Sequence, residues 1–114
     1  MKTNPADIDL AFRAINFIAD RYHVTRADLE GCSREWRLVW PRWLAMQLVR
    51  NYTSLSWPKI GAIFNRSRNT VIHALKGVEN QVQTSCPHGV ELVHLLNAWE
   101  LKVNTERSHP PRVG

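Results

Sequence analysis

The sequence predicts an all-α fold, and three observations carry that prediction. Apolar residues recur at three- and four-residue intervals in successive stretches, no long alternating run of β-branched residues occurs, and glycine is scarce, with five in 114 residues. Hydrophobic residues make up 44% of the chain and include five Trp, the composition of a folding sequence rather than a disordered one. This length fits one compact helical domain with a modest core, expected over residues 1–103, followed by a Pro-rich polar tail over 104–114.

Each element follows from local chemistry. Asn4-Pro5 with Asp7 and Asp9 supplies a cap, a first-turn proline and acids favoured by the helix dipole, and Ile8, Phe12, Ile15, Ala19 and Tyr22 then recur at helical spacing. A first helix is expected over about 5–22. Thr25-Arg26-Ala27-Asp28 resembles a capping box that starts a short helix ending near Gly31. Residues 32–40 have no clean period and carry Arg34 and Arg37, so they predict a basic loop. Pro41 is expected to open the next helix, where its missing N–H is harmless, with Leu44, Ala45, Leu48, Val49 and Tyr52 as the buried stripe. Residues 84–89 carry Ser, Pro and Gly and break the chain before a last helix over about 88–102.

The stretch from Ser56 to Asn80 holds the sharpest pattern. Ser56 is a natural N-cap with Pro58 in the first turn, and Trp57, Ile60, Ala62, Ile63 and Phe64 form a first apolar set. A tight polar joint, Asn65-Arg66-Ser67, leads into a second set at Val71, Ala74, Leu75 and Val78, with Ser67 as its cap and an end near Val82. Two helices meeting at a sharp joint, with Arg and Asn opening the second, are the outline of a helix-turn-helix over about 56–82.

Charge points the same way. The net charge is +5, but residues 34–76 alone hold eight cations against one acid, whereas the rest holds seven cations and nine acids. Such one-sided placement favours a polyanion, here double-stranded DNA. Cys32 and Cys86 form no CxxC pair and are expected as free thiols in a reducing cytoplasm. The first nine residues are no secretory signal and no run approaches a membrane span.

The order of these features resembles the C-terminal DNA-binding domain of the bacterial replication initiator DnaA. The match runs from about Ala11 to Trp99. It is carried by Pro41-Arg42 followed by Leu44-Ala45-Met46, by Pro58-x-Ile60-Gly61, and by Thr70-Val71-Ile72-His73-Ala74. The resemblance implies the domain IV fold with its TrpR-like helix-turn-helix. It also implies a helix in the major groove and a basic-loop arginine in the adjacent minor groove. No glycine-rich phosphate loop ending in Gly-Lys-Ser/Thr occurs, so the chain is expected as that domain standing alone, without ATPase activity. There are departures. Ser67-Arg68-Asn69-Thr70 stands where the family has Asp-His-Thr-Thr, Asn65 replaces a usual Gly-Gly, and Trp40 stands where an Arg precedes the family's Pro-Arg. A different target sequence is expected.

Arg68 and Asn69 are the candidates for base readout: Arg pairs bidentately with guanine and Asn with adenine. Thr70 is placed on a thymine methyl or a phosphate, and Lys76 on a phosphate. His73 is read as structural. Arg37, Arg42, Lys59 and Arg66 are the expected phosphate grips, helped by the helix start at Ser56–Lys59; about five such contacts predict a salt slope near −4.5. Trp36, Trp40, Trp43 and Trp57 are expected to pack rather than stack on bases. Cys86-Pro87-His88 with His94 is read as a loop beside a helix, so no metal, cofactor or catalysis is expected. The expected setting is a bacterial or phage-encoded, nucleoid-associated protein that controls replication or transcription, with proteins of those machineries as further partners. The competing reading is a protein-interaction adaptor that keeps the fold without DNA binding. The sequence does not fix an oligomeric state.

Overall fold

The computed structural model describes residues 5–31, 33–84 and 86–107. Among these there are six helices and no strand: α1 (Pro5–Arg21), α2 (Arg26–Glu30), α3 (Trp36–Tyr52), α4 (Trp57–Ile63), α5 (Arg68–Thr84) and α6 (Cys86–Arg107). The all-α expectation holds, and the helix-turn-helix is α4–α5.

α3 is the central element, packing on α1, α2, α4 and α5, while α6 closes the far side against α5. Ile15 and Ile18 of α1, Leu44 and Leu48 of α3, Ile60 of α4, Val71 of α5 and Leu95 and Trp99 of α6 are fully buried in one core. Trp99 ties α6 to the rest, with its ring 5.2 Å from Phe17 and edge-on to Tyr52 at 6.1 Å. Glu91, about two turns earlier in α6, accepts from the Tyr22 hydroxyl and, through its other oxygen, from Trp40 Nε1 at 3.2 Å.

The capping box at α2 forms as its sequence predicts: Asp28 N donates to Thr25 Oγ1 at 3.0 Å, and Thr25 N donates to Asp28 Oδ2 at 3.1 Å. Asp7 does more than complement a dipole. Its Oδ2 accepts from Ser54 N at 3.3 Å and from Ser54 Oγ at 2.6 Å, fastening the start of α1 to the α3–α4 connection.

Two boundaries differ from expectation. α3 begins at Trp36, not Pro41, so only 33–35 of the expected loop is irregular among the described residues, and Pro41 lies inside the helix. An interior proline removes one ladder bond and ordinarily costs about 3 kcal/mol. Here the extra turn buries Leu38 and Trp40 and stacks Trp36 on Trp40, and packing outweighs the proline. The missing period in that stretch has the same origin. Nine residues of α3 are buried around much of its circumference, so no single apolar stripe exists to be seen. α6 starts at Cys86, with Pro87 tolerated in its first turn, and runs to Arg107, so residues 104–107 of the expected tail are helical. The remainder of the tail, 108–114, and Cys32 lie outside the described residues; Cys86 is a free, exposed thiol.

Candidate nucleic-acid interface

The joint between α4 and α5 sets the site. Ser56 caps α4 by accepting from Lys59 N at 3.4 Å. Asn65 takes a left-handed conformation, φ 58°, which Asn tolerates better than most residues and which lets one residue turn the chain. Arg66 N then donates to Gly61 O at 2.7 Å, and a Cβ on Gly61 would sit 2.5 Å from the Arg66 carbonyl oxygen. Only glycine lets the joint fold this closely over α4. Ser67 caps α5, accepting from Thr70 N at 3.3 Å, with the two hydroxyls 3.1 Å apart.

That geometry presents the first turn of α5 to solvent. Ser67, Arg68, Asn69, His73 and Lys76 are exposed, and Thr70 and Ile72 half-buried, opposite the buried Val71, Ala74 and Val78. His73 leans edge-on toward Trp43, with 6.1 Å between ring centroids. Lys59 is exposed at the start of α4 and Arg37 at the start of α3, where Arg37 is only loosely paired with Glu35 at 3.9 Å. These six charged or polar side chains, Lys59, Arg68, Asn69, Thr70, Lys76 and Arg37, remain in reach of a ligand.

Arg42, expected on a phosphate, is 5% exposed. Its Nε donates to Leu29 O at 2.8 Å, its Nη1 to Ser33 O at 3.0 Å and its Nη2 to Asp28 O at 3.1 Å. The guanidinium gathers carbonyls at and just beyond the end of α2, so it builds the α2–α3 connection. Arg66 works in the same place. It is half-buried, and its guanidinium donates to Gly31 O and, at 3.2 Å, to Asn65 O. One arginine from α3 and one from the helix-turn-helix joint therefore tie the end of α2 and the loop after it to α3 and to the joint.

Arg34, by contrast, stands exposed on that pinned loop. It lines an open groove with Ser33, Trp43, Thr70 and His73, between the loop and the first turns of α5. Its sequence signal was its place in the basic stretch, which did not distinguish it from Arg42. Trp40 is buried and bonded to Glu91. The first turn of α3 has no side-chain cap, since Glu35 makes no capping bond.

Titration reinforces the loop's anchorage. The hydrogen bond from the Thr25 backbone holds the Asp28 carboxyl below the usual carboxylate range, keeping the cap ionised. Among the described residues no group of three or more His, Cys, Asp or Glu side chains is placed to hold a metal ion, and no helix is long and apolar enough to cross a membrane. His88 packs against Trp40, 4.8 Å between centroids, instead of facing Cys86 across a site.

The family model described as the bacterial dnaA protein helix-turn-helix covers residues 13–78, from α1 through the first three turns of α5. The chain is 38% identical over 81 residues to the chromosomal replication initiator protein DnaA of Limosilactobacillus fermentum, covering 70% of this chain and 18% of that protein. The same protein of Oleidesulfovibrio alaskensis is 33% identical over 94 residues, covering 82% and 20%. That of Oenococcus oeni is 40% identical over 68 residues, covering 59% and 15%. The chain thus spans about a fifth or less of these relatives' length. With more than half of it matched and the helix-turn-helix in place, the chain belongs to the bacterial DnaA helix-turn-helix family.

Proposed function

We propose that this chain binds double-stranded DNA sequence-specifically, in control of replication initiation or of transcription. In this reading α5 enters the major groove and the pinned loop carrying Arg34 lies over the adjacent backbone or minor groove. The observation that carries it is the open first turn of α5: Arg68 and Asn69 are exposed, with Lys59 and Lys76 exposed on the same helix-turn-helix. Family membership supports DNA binding, and the concentration of cations in residues 34–76 supports a polyanion rather than a protein partner. Arg68 and Asn69 contact base edges, Thr70 a thymine methyl or phosphate, and Ser67 caps the helix that carries them. Lys59, Lys76, Arg37 and Arg34 hold phosphates, while Arg42 and Arg66 hold the loop. We assign no catalysis, nucleotide hydrolysis, metal or cofactor to these residues.

Selection from random duplexes followed by a mobility-shift titration in salt tests the reading. With Arg42 and Arg66 withdrawn and Arg34 added, the phosphate contacts number about four, and log affinity should fall against log salt with a slope near −3.6 rather than −4.5. Absence of retardation even at low salt would overturn duplex binding in favour of the adaptor.

A further inference from the structure

Four tryptophans crowd the basic part of the chain, and the fold gives them different surroundings. Trp40 is buried and donates to Glu91. Trp43 is half-buried where α3 crosses α5, so close that a Cβ on Gly77 would lie 2.3 Å from its ring. Trp57 is half-buried with the Arg50 guanidinium 4.3 Å from its ring centroid. Trp36 is the exception, with 46% of its surface in solvent.

Exposure has not left Trp36 loose. Its ring is stacked on Trp40, centroids 5.6 Å apart and planes 19° off parallel. Trp43 meets it edge-on at 5.5 Å, and His88 lies tilted at 6.4 Å. An indole both exposed and held by three rings has already lost its rotational freedom on folding, so a flat ligand docks on it without that entropic cost. Its setting is cationic on balance: Arg34 and Arg37 are exposed on either side of it in the chain, against one exposed acid, Glu35, only loosely paired with Arg37 at 3.9 Å. Through Trp43 the aromatic cluster adjoins His73, on the outward face of α5. The indole is thus continuous with the DNA-reading surface and flanked by groups that attract phosphates.

We propose that Trp36 is a stacking platform for a DNA base lifted out of the stack at one flank of the bound site, with Arg34 and Arg37 on the neighbouring phosphates. The proposal rests on the duplex-binding reading above. Such stacking is tolerant of base identity, because every base presents a π face, so Trp36 contributes affinity for a distorted step rather than for a letter. A duplex exposes a base face only where a step opens. Unpaired bases on the correct flank should therefore strengthen binding.

The test uses the duplex site recovered by selection, intact or with a two-nucleotide mismatch bubble on one flank or the other. Wild-type protein should bind one bubbled duplex roughly five- to hundred-fold more tightly than the intact one. Trp36→Ala should lose that preference while still preferring the site over random duplex, and Trp36→Phe should keep most of it. 5-Iodouracil placed in the bubble should cross-link to Trp36 of the wild-type chain, a readout that does not depend on how the Ala variant folds. Wild-type protein that binds the site but treats bubbled and intact duplexes alike, or a cross-link mapping away from Trp36, overturns the proposal and leaves duplex binding standing. If wild-type protein binds no duplex at all, the duplex reading falls and this proposal falls with it.

Discussion

At the scale of single residues, Arg42 and Asn69 show how much position decides for a polar side chain. Arg42 donates to three backbone carbonyls from a buried site. Removing it strands those acceptors, so Arg42→Ala should destabilise the fold by about 3 kcal/mol or more. Chemical denaturation measures this, and Arg42→Lys should recover little, because one ammonium cannot span a fork of three carbonyls. The salt slope of the folded variant should stay at the wild-type value; a slope shallower by about one would instead restore Arg42 as a phosphate contact. Asn69 is exposed in the first turn of α5. Asn69→Ala should cost about 1–3 kcal/mol on the selected site and relax preference at one base pair, as read by competition with singly substituted duplexes. Equal loss on selected and random DNA would remove it from base readout.

At the scale of elements, glycines mark the two closest approaches. Gly77 faces an aromatic ring, whereas Gly61 faces the backbone of Arg66 and Ser67, which cannot rotate away. Replacing a helical glycine by alanine ordinarily stabilises by about 1 kcal/mol. Gly61→Ala should lower the melting temperature despite that gain, and it should weaken DNA binding because α5 is displaced with the joint. An unchanged or raised Tm would show that the joint has room. The capping box on α2 makes a further prediction. The folded pKa of Asp28 is depressed, so its contribution is present above the ordinary carboxylate pKa and is lost as pH falls through the folded value. Amide protection in α2 should therefore decline below about pH 4, the usual carboxylate range. Asp28→Asn should show weak protection that no longer varies across that window.

The helix periods, the Thr25–Asp28 box, the Ser56 and Ser67 caps and the helix-turn-helix were legible in the sequence because each depends on neighbours within one or two turns. The start of α3 was not. Its first turn is favoured by Trp36 meeting Trp40, Trp43 and His88, the last a residue 52 positions beyond Trp36. Arg34 and Arg42 looked alike for a related reason: both are arginines in one basic stretch, and only the carbonyls converging on Arg42 separate them.

At the scale of the whole molecule, Tyr22, Trp40 and Glu91 link α6 to the end of α1 and to α3 through one carboxylate. Burial first, and then the hydrogen bond to Glu91, push the Tyr22 phenol above its ordinary range. Tyr52, bonded to Glu100 of α6, is raised to about 12, again chiefly by burial. A raised folded pKa contributes stability that is complete below the unfolded phenol value of about 10 and is lost as pH climbs through the folded value. Stability should therefore decline above about pH 10, and Tyr22→Phe should soften that decline in denaturation curves taken across the range. An alkaline limb identical in the variant would show that the α6 docking does not depend on this phenol. The sequence by itself determined the helices, the joint and the location of the charge, because hydrophobic period, caps and composition are properties of the chain as written. Only the tertiary structure decided which arginines face solvent, which tryptophan stays open and where α3 begins. Those outcomes depend on carbonyls and rings brought together from distant parts of the chain.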